Sequence, residues 1–120
     1  MTAFNTLKGG RKGSMDSVIA ENIRILYIAG KMTGLPDKGR QEFMNAERIL
    51  KEKYGRIILN PATLPDGMPG ERYMPICMAM IDQADAVIML PNWTESKGAR
   101  LEREYAKYQG KTIIYVRKSK

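Results

Sequence analysis

The sequence predicts an open parallel α/β sheet with helices packed on both faces, and three observations carry that expectation. Four short apolar runs recur along the chain, each closed by Gly, Pro or Asn, or by a basic end. Segments with helical periodicity separate the runs. The resulting order is strand–helix–strand throughout, which is the pattern of a parallel sheet. With 120 residues the chain has room for one such domain. It is expected to span residues 23–120, behind a flexible basic leader at 1–22.

The first strand is Ile25-Leu26-Tyr27-Ile28-Ala29, closed by Gly30. A continuous apolar run of this length suits a strand covered on both faces. Residues 31–38 contain Gly34 and Pro36 and read as a loop. Over 39–54 the apolar positions Phe43, Ala46, Ile49, Leu50 and Tyr54 share one helical face, with Glu47 and Lys51 paired outside at i,i+4. Gly55 stops that helix. Ile57-Ile58-Leu59 is the second strand. The stretch 60–70 holds three prolines and two glycines and is a long loop.

A second helix is expected over 73–83. Its buried stripe would be Tyr73, Ile76, Cys77, Met80, Ile81 and Ala84, with Pro75 confined to the first turn. Ala86-Val87-Ile88-Met89-Leu90 is the third strand, 91–98 a loop, and 98–109 the third helix, stopped by Gly110. Thr112-Ile113-Ile114-Tyr115-Val116 is the fourth strand. The sum is a three-layer, Rossmann- or flavodoxin-like sheet of four to five strands.

Composition removes several chemistries. The chain has no histidine and one cysteine, Cys77. A Ser-His-Asp triad, a His-ligated zinc site and an intramolecular disulfide are therefore impossible within it. Catalysis must use carboxylates, hydroxyls, amines or backbone groups, with no metal or cofactor called for. The single cysteine and the lack of an apolar signal segment favour a cytoplasmic setting. No run approaches the length of a membrane span.

Lys and Arg outnumber Asp and Glu by 20 to 13, for a net charge of +7. Much of that excess sits in terminal runs: Lys8, Arg11 and Lys12 at one end, Arg117, Lys118 and Lys120 at the other. Solvated tails explain such runs, and no recognition helix or aromatic–basic alternation points to nucleic acid. An anionic nucleotide is equally compatible with the charge.

In open parallel sheets ligands bind beyond the carboxyl ends of the strands. Three loops, 30–38, 60–70 and 91–98, are therefore expected on one edge. In the first, Gly30 and Gly34 allow close backbone approach and Lys31 can face an anion. The third carries Trp93, which either stacks on a base or covers the core edge. It runs into Ser96, Gly98 and Ala99 at a helix start. That is an anion site, or a serine N-cap that needs no ligand. Glu102 lies one turn further, beside the apolar positions Ala99, Leu101, Tyr105 and Ala106. A carboxylate there is either a functional group or an exposed salt-bridge partner. Asp85 falls at the amino end of the third strand and reads as structural.

Several motifs then coincide in order and spacing: Tyr27-Ile28-Ala29-Gly30, Leu59-Asn60-Pro61-Ala62, Ala84-Asp85-Ala86-Val87-Ile88, Leu90-Pro91-Asn92-Trp93, and Ser96-Lys97-Gly98-Ala99-Arg100-Leu101-Glu102-Arg103-Glu104-Tyr105-Ala106. Over residues 24–116 the chain resembles the nucleoside 2-deoxyribosyltransferase-like superfamily, and within it a small branch found in phages and bacteria. The resemblance implies cleavage of the N-glycosidic bond of a nucleoside or nucleotide through a glycosyl-enzyme, with water or a second base as acceptor.

The resemblance maps the nucleophile to Glu102 and the contact to a 5′-phosphate to Ser96. Tyr27, Gly30, Lys31, Asp66, Trp93, Gly98 and Ala99 complete the expected substrate site. It also implies self-association, with neighbouring subunits completing the sites. Two positions depart from the family pattern. Glu104 stands where the family has Gly. Cys77 stands where it has an Asp that handles the leaving base, and a thiol is a poor replacement for that acid. Protonation of the base then falls to Asp66, Asp37 or a water. Alternatively, the protein is a non-catalytic module that senses or sequesters a nucleotide.

Overall fold

The computed structural model describes residues 19–35 and 37–117 together with the backbone of Leu7–Lys8. Most of the expected leader, and Lys118 and Lys120 of the basic end, lie outside the described residues. The elements are β1 (Leu7–Lys8), β2 (Ile25–Ala29), α1 (Arg40–Tyr54), β3 (Ile57–Leu59), α2 (Gly70–Gln83), β4 (Ala86–Met89), α3 (Lys97–Tyr108) and β5 (Thr112–Val116). Short 3-10 turns at Pro61–Thr63 and Trp93–Glu95 interrupt the second and third loops.

The strands form one sheet in the order β1-β5-β4-β2-β3. β2, β3, β4 and β5 run parallel, with Tyr27 opposite both Leu59 and Val87, and Ile88 opposite Ile114. β1 pairs antiparallel with β5 at the edge. The chain leaves β2 for β3 on one side and returns past it to β4 on the other. The order therefore reverses between β2 and β4, which is where such sheets open a crevice.

Alternation along the strands feeds two cores. Leu26, Ile28, Ala86 and Ile88 face Phe43, Ala46 and Leu50 of α1. Tyr27, Ala29, Val87 and Met89 face Cys77 and Ile81 of α2 and Ala99 and Ala106 of α3. Central strands covered on both sides are why the strand sequences are continuously apolar. Glu47 binds Lys51 at 2.8 Å, as the i,i+4 spacing predicts, and also accepts from Asn60 Nδ2 at 2.8 Å. Asp85 sits at the amino end of β4, where its Oδ2 accepts the backbone N–H groups of Arg24 and Ile25, both at 2.9 Å. It is a structural tie between neighbouring strands.

α2 departs from expectation. It begins at Gly70, so Pro75 lies inside the helix, beyond the first turn. The proline removes the bond to the Glu71 carbonyl, but both residues are exposed, so water can take the place of the lost N–H. Ile76, expected in the buried stripe, is 36% exposed, and Cys77 and Ile81 carry the buried face.

Candidate active site

A cleft of about 650 Å³ opens at the reversal point, beyond the carboxyl ends of β2 and β4. Its volume is in the range of small-molecule sites. Glu102 lies on its floor. Ala99, Glu102 and Ala106 share one face of α3, because they follow each other at i+3 and i+4, and Gly98 stands four residues before Glu102 on its side. That face packs on the sheet, so Glu102 is only 8% exposed, and among the described residues it has no ion-pair partner. The exposed salt-bridge alternative for Glu102 is thereby excluded, and Leu101, on the opposite face, is half exposed.

Burial raises the Glu102 carboxyl to about 7, against a pull in the other direction from Tyr27 and Cys77 beside it. Burial likewise pushes the Cys77 thiol up to about 11, with the Glu102 charge adding to the rise. Tyr27, fully buried at the centre of the sheet, is raised well above its ordinary value by burial and then by Glu102. Its hydroxyl is near enough to Glu102 to favour the carboxylate, yet it falls short of hydrogen-bond geometry and, among the described residues, is left a buried donor without a partner. An unpaired buried polar group is costly, and Tyr27 is among the residues that line the cleft.

Ser96 is the N-cap of α3, its Oγ accepting the Ala99 N–H at 3.0 Å. It also lines the cleft together with Gly98 and Ala99. The first N–H groups of a helix have no intrahelical acceptor and suit an anion. Gly30 lines the cleft too, but its missing side chain serves packing. A Cβ there would stand 3.0 Å from Leu90 Cβ and Cδ1.

The structure gathers Tyr27, Gly30, Asp66, Ser96, Gly98, Ala99 and Glu102 around one cleft. Lys31 and Trp93 stand outside its lining. The Lys31 N–H donates to Asn92 Oδ1 at 3.0 Å and its ammonium lies 3.6 Å from Glu95, so it ties the first loop to the third. Trp93 packs against Tyr115 at 5.7 Å between centroids, with the Arg103 guanidinium 5.1 Å from its ring. It covers the edge of the core.

The two carboxylates considered as acids differ in place. Asp37 caps α1, accepting the Gly39 and Gln41 N–H groups at 3.0 Å, and the Gln41 N–H holds its carboxyl below the usual range. Asp66 reaches the cleft rim, where Oδ1 accepts from Arg40 at 3.0 Å and Lys38 at 3.3 Å, and Arg40 and then Lys38 keep it ionised. Neither is poised to deliver a proton.

Sequence reasoning overlooked Arg40, Lys38, Tyr73 and Met74 on the cleft wall. Tyr73 donates to the Pro65 carbonyl at 2.6 Å and accepts the Met68 N–H, pinning the second loop. The dense Pro/Gly spacing of that loop was the one available signal that something must hold it.

A family model described as "Domain of unknown function (DUF4406)" matches residues 24–115. Among solved structures the chain is similar to a 2-desoxiribosyltransferase from Leishmania mexicana, with a TM-score of 0.63 and 24% identity over 77% of this chain. The likeness is one of fold, and this chain covers 63% of that enzyme's length. The comparison with curated proteins gives no match.

Proposed function

This chain belongs to the DUF4406 family, and from its cleft we propose that it cleaves the N-glycosidic bond of a nucleoside or nucleotide with Glu102 as nucleophile. One observation carries the reading: a buried carboxylate without an ion-pair partner on the cleft floor, beside the orphaned Tyr27 hydroxyl. The likeness in fold to a 2-desoxiribosyltransferase supports it.

The Glu102 carboxylate attacks the anomeric carbon as the bond from that carbon to the base nitrogen breaks. The electron pair leaves with the base. The charge that builds on the sugar is stabilised and then trapped by the carboxylate. Water or a second base attacks the same carbon and releases Glu102. A 5′-phosphate at Ser96 and Gly98 sets the spacing, since four residues of helix advance about 6 Å, toward the sugar's reacting carbon.

A second reading has its own observation. Cys77, with a thiol raised to about 11, occupies the position where the resemblance calls for a carboxylic acid. On that reading the cleft binds a nucleotide without turning it over. We take the working form to be a homo-oligomer of a phage or bacterial protein, cytoplasmic and without a resident cofactor. The exposed Ile76 of α2 and Leu101 and Tyr108 of α3 support self-association. Among the described residues no helix is long and apolar enough to cross a membrane.

The test incubates the protein with nucleosides and 5′-nucleotides, alone and with a second free base, and reads free base by chromatography. Release that disappears in Glu102→Gln supports the glycosidase reading. Thermal stabilisation by a nucleotide with no release supports the binding module.

A further inference from the structure

The cleft rim opposite the start of α3 carries charges that the nucleophile does not use. Lys38 and Arg40, from the loop after β2 and the first residue of α1, converge on one oxygen of Asp66 from the loop after β3. All three side chains line the cleft and remain 40–60% exposed, so a ligand can reach them. Both contacts fall on Oδ1, which among the described residues leaves Oδ2 available as an acceptor. The Arg40 Nε also donates to the Ala62 carbonyl at 3.2 Å, which fixes the guanidinium. Lys38 is held there at some cost, because among the described residues it is the one non-glycine with positive φ, at 58°.

We propose that the Lys38–Asp66–Arg40 cluster is a base-recognition subsite that prefers a lactam edge, a ring carbonyl beside a ring N–H, over an amidine edge. This rests on the nucleoside reading of the cleft. Guanine, hypoxanthine, uracil and thymine present the lactam edge; adenine and cytosine present the amidine edge. The carboxylate accepts the ring N–H, while the ammonium and guanidinium donate to the carbonyl oxygen. Adenine has no ring carbonyl to meet the cations, and in cytosine the ring nitrogen beside the carbonyl carries no proton for the carboxylate to accept; two cations against one carboxylate oppose the protonation that would let it donate instead.

The same charges help the leaving base. When the glycosidic bond breaks, the electron pair passes to the base, and a lactam base spreads it onto the carbonyl oxygen that Lys38 and Arg40 hold. This offsets the missing acid at Cys77. Leu35, Leu64 and Met68 supply apolar walls around the ring.

The experiment measures binding, so it does not depend on turnover. Glu102→Gln protein is titrated calorimetrically with the 5′-monophosphates of 2′-deoxyguanosine, 2′-deoxyuridine, 2′-deoxyadenosine and 2′-deoxycytidine. The lactam pair is expected to bind about tenfold more tightly than the amidine pair, and Asp66→Asn or Arg40→Met to erase most of that difference. Both substitutions are at exposed positions, and a thermal melt checks that the variants fold. Equal affinity for the four, a preference for the amidine pair, or a preference unchanged in both variants would overturn the subsite and leave the nucleotide reading standing. Failure to bind any of the four would overturn the nucleotide reading and the subsite with it.

Discussion

Glu102 has two consequences that can be measured separately. Its carboxyl ionises near 7 in the folded protein and near 4.5 in an unfolded chain. Below pH 4.5 it is protonated in both states and its contribution to stability is complete. As pH rises to 7 the unfolded chain ionises first, and about 3 kcal/mol is lost, after which the difference is flat. Wild type should therefore lose stability relative to Glu102→Gln across that window, a difference that denaturant melts at several pH values read directly. Under the proposed mechanism, in which only the carboxylate attacks, activity should run the other way, and base release is expected to climb through about pH 7. Tyr27→Phe removes a buried hydroxyl that has no hydrogen-bond partner among the described residues, so it should raise stability by about 1 kcal/mol or more, as the penalty of that unmet group goes with it. Because that hydroxyl favours the carboxylate, the same variant should move the pH midpoint of activity upward.

At the scale of elements, the start of α3 carries the Ser96 cap and the proposed phosphate contact, and substitution can separate the two. Ser96→Ala removes the cap and should cost about 1 kcal/mol of stability. Ser96→Asp keeps a capping oxygen and favours the helix dipole, so stability should hold while affinity for a nucleoside 5′-monophosphate falls relative to the bare nucleoside. Melting curves and titrations of both ligands decide it. Asp85→Ala should cost about 1 kcal/mol through its two lost strand contacts and leave base release per folded molecule unchanged. Strands and most helix bounds were legible because two-sided burial and helical periodicity act locally. Pro75 was misplaced because an exposed carbonyl tolerates losing its N–H partner, which a local rule does not reveal. Ile76 belongs to the face of α2 that solvent covers, a choice made by packing and not by spacing.

Across the whole molecule, the topology decides what the cleft contains. Reversal of strand order between β2 and β4 brings the loop after β2 against the start of α3, and β3 delivers Asp66 to the opposite rim. The edge of the sheet that holds the site was readable from strand order alone. The burial of Glu102 was not, since Arg103 and Glu104 beside it suggest an exposed run, and only packing of the Ala99–Ala106 face on the sheet removes it from water. Trp93 packs at a tilt against Tyr115 of β5, a partner outside its own loop. The central claim is that this cleft breaks a glycosidic bond through Glu102. The most direct test is mass spectrometry of the intact protein after incubation with 2′-deoxynucleoside 5′-monophosphates and rapid acid quenching. The account predicts an added mass of one deoxyribosyl phosphate, mapped to the peptide containing Glu102 and missing in Glu102→Gln, with free base released in step. Free base released at the wild-type rate by Glu102→Gln, or an adduct on another residue, would contradict it.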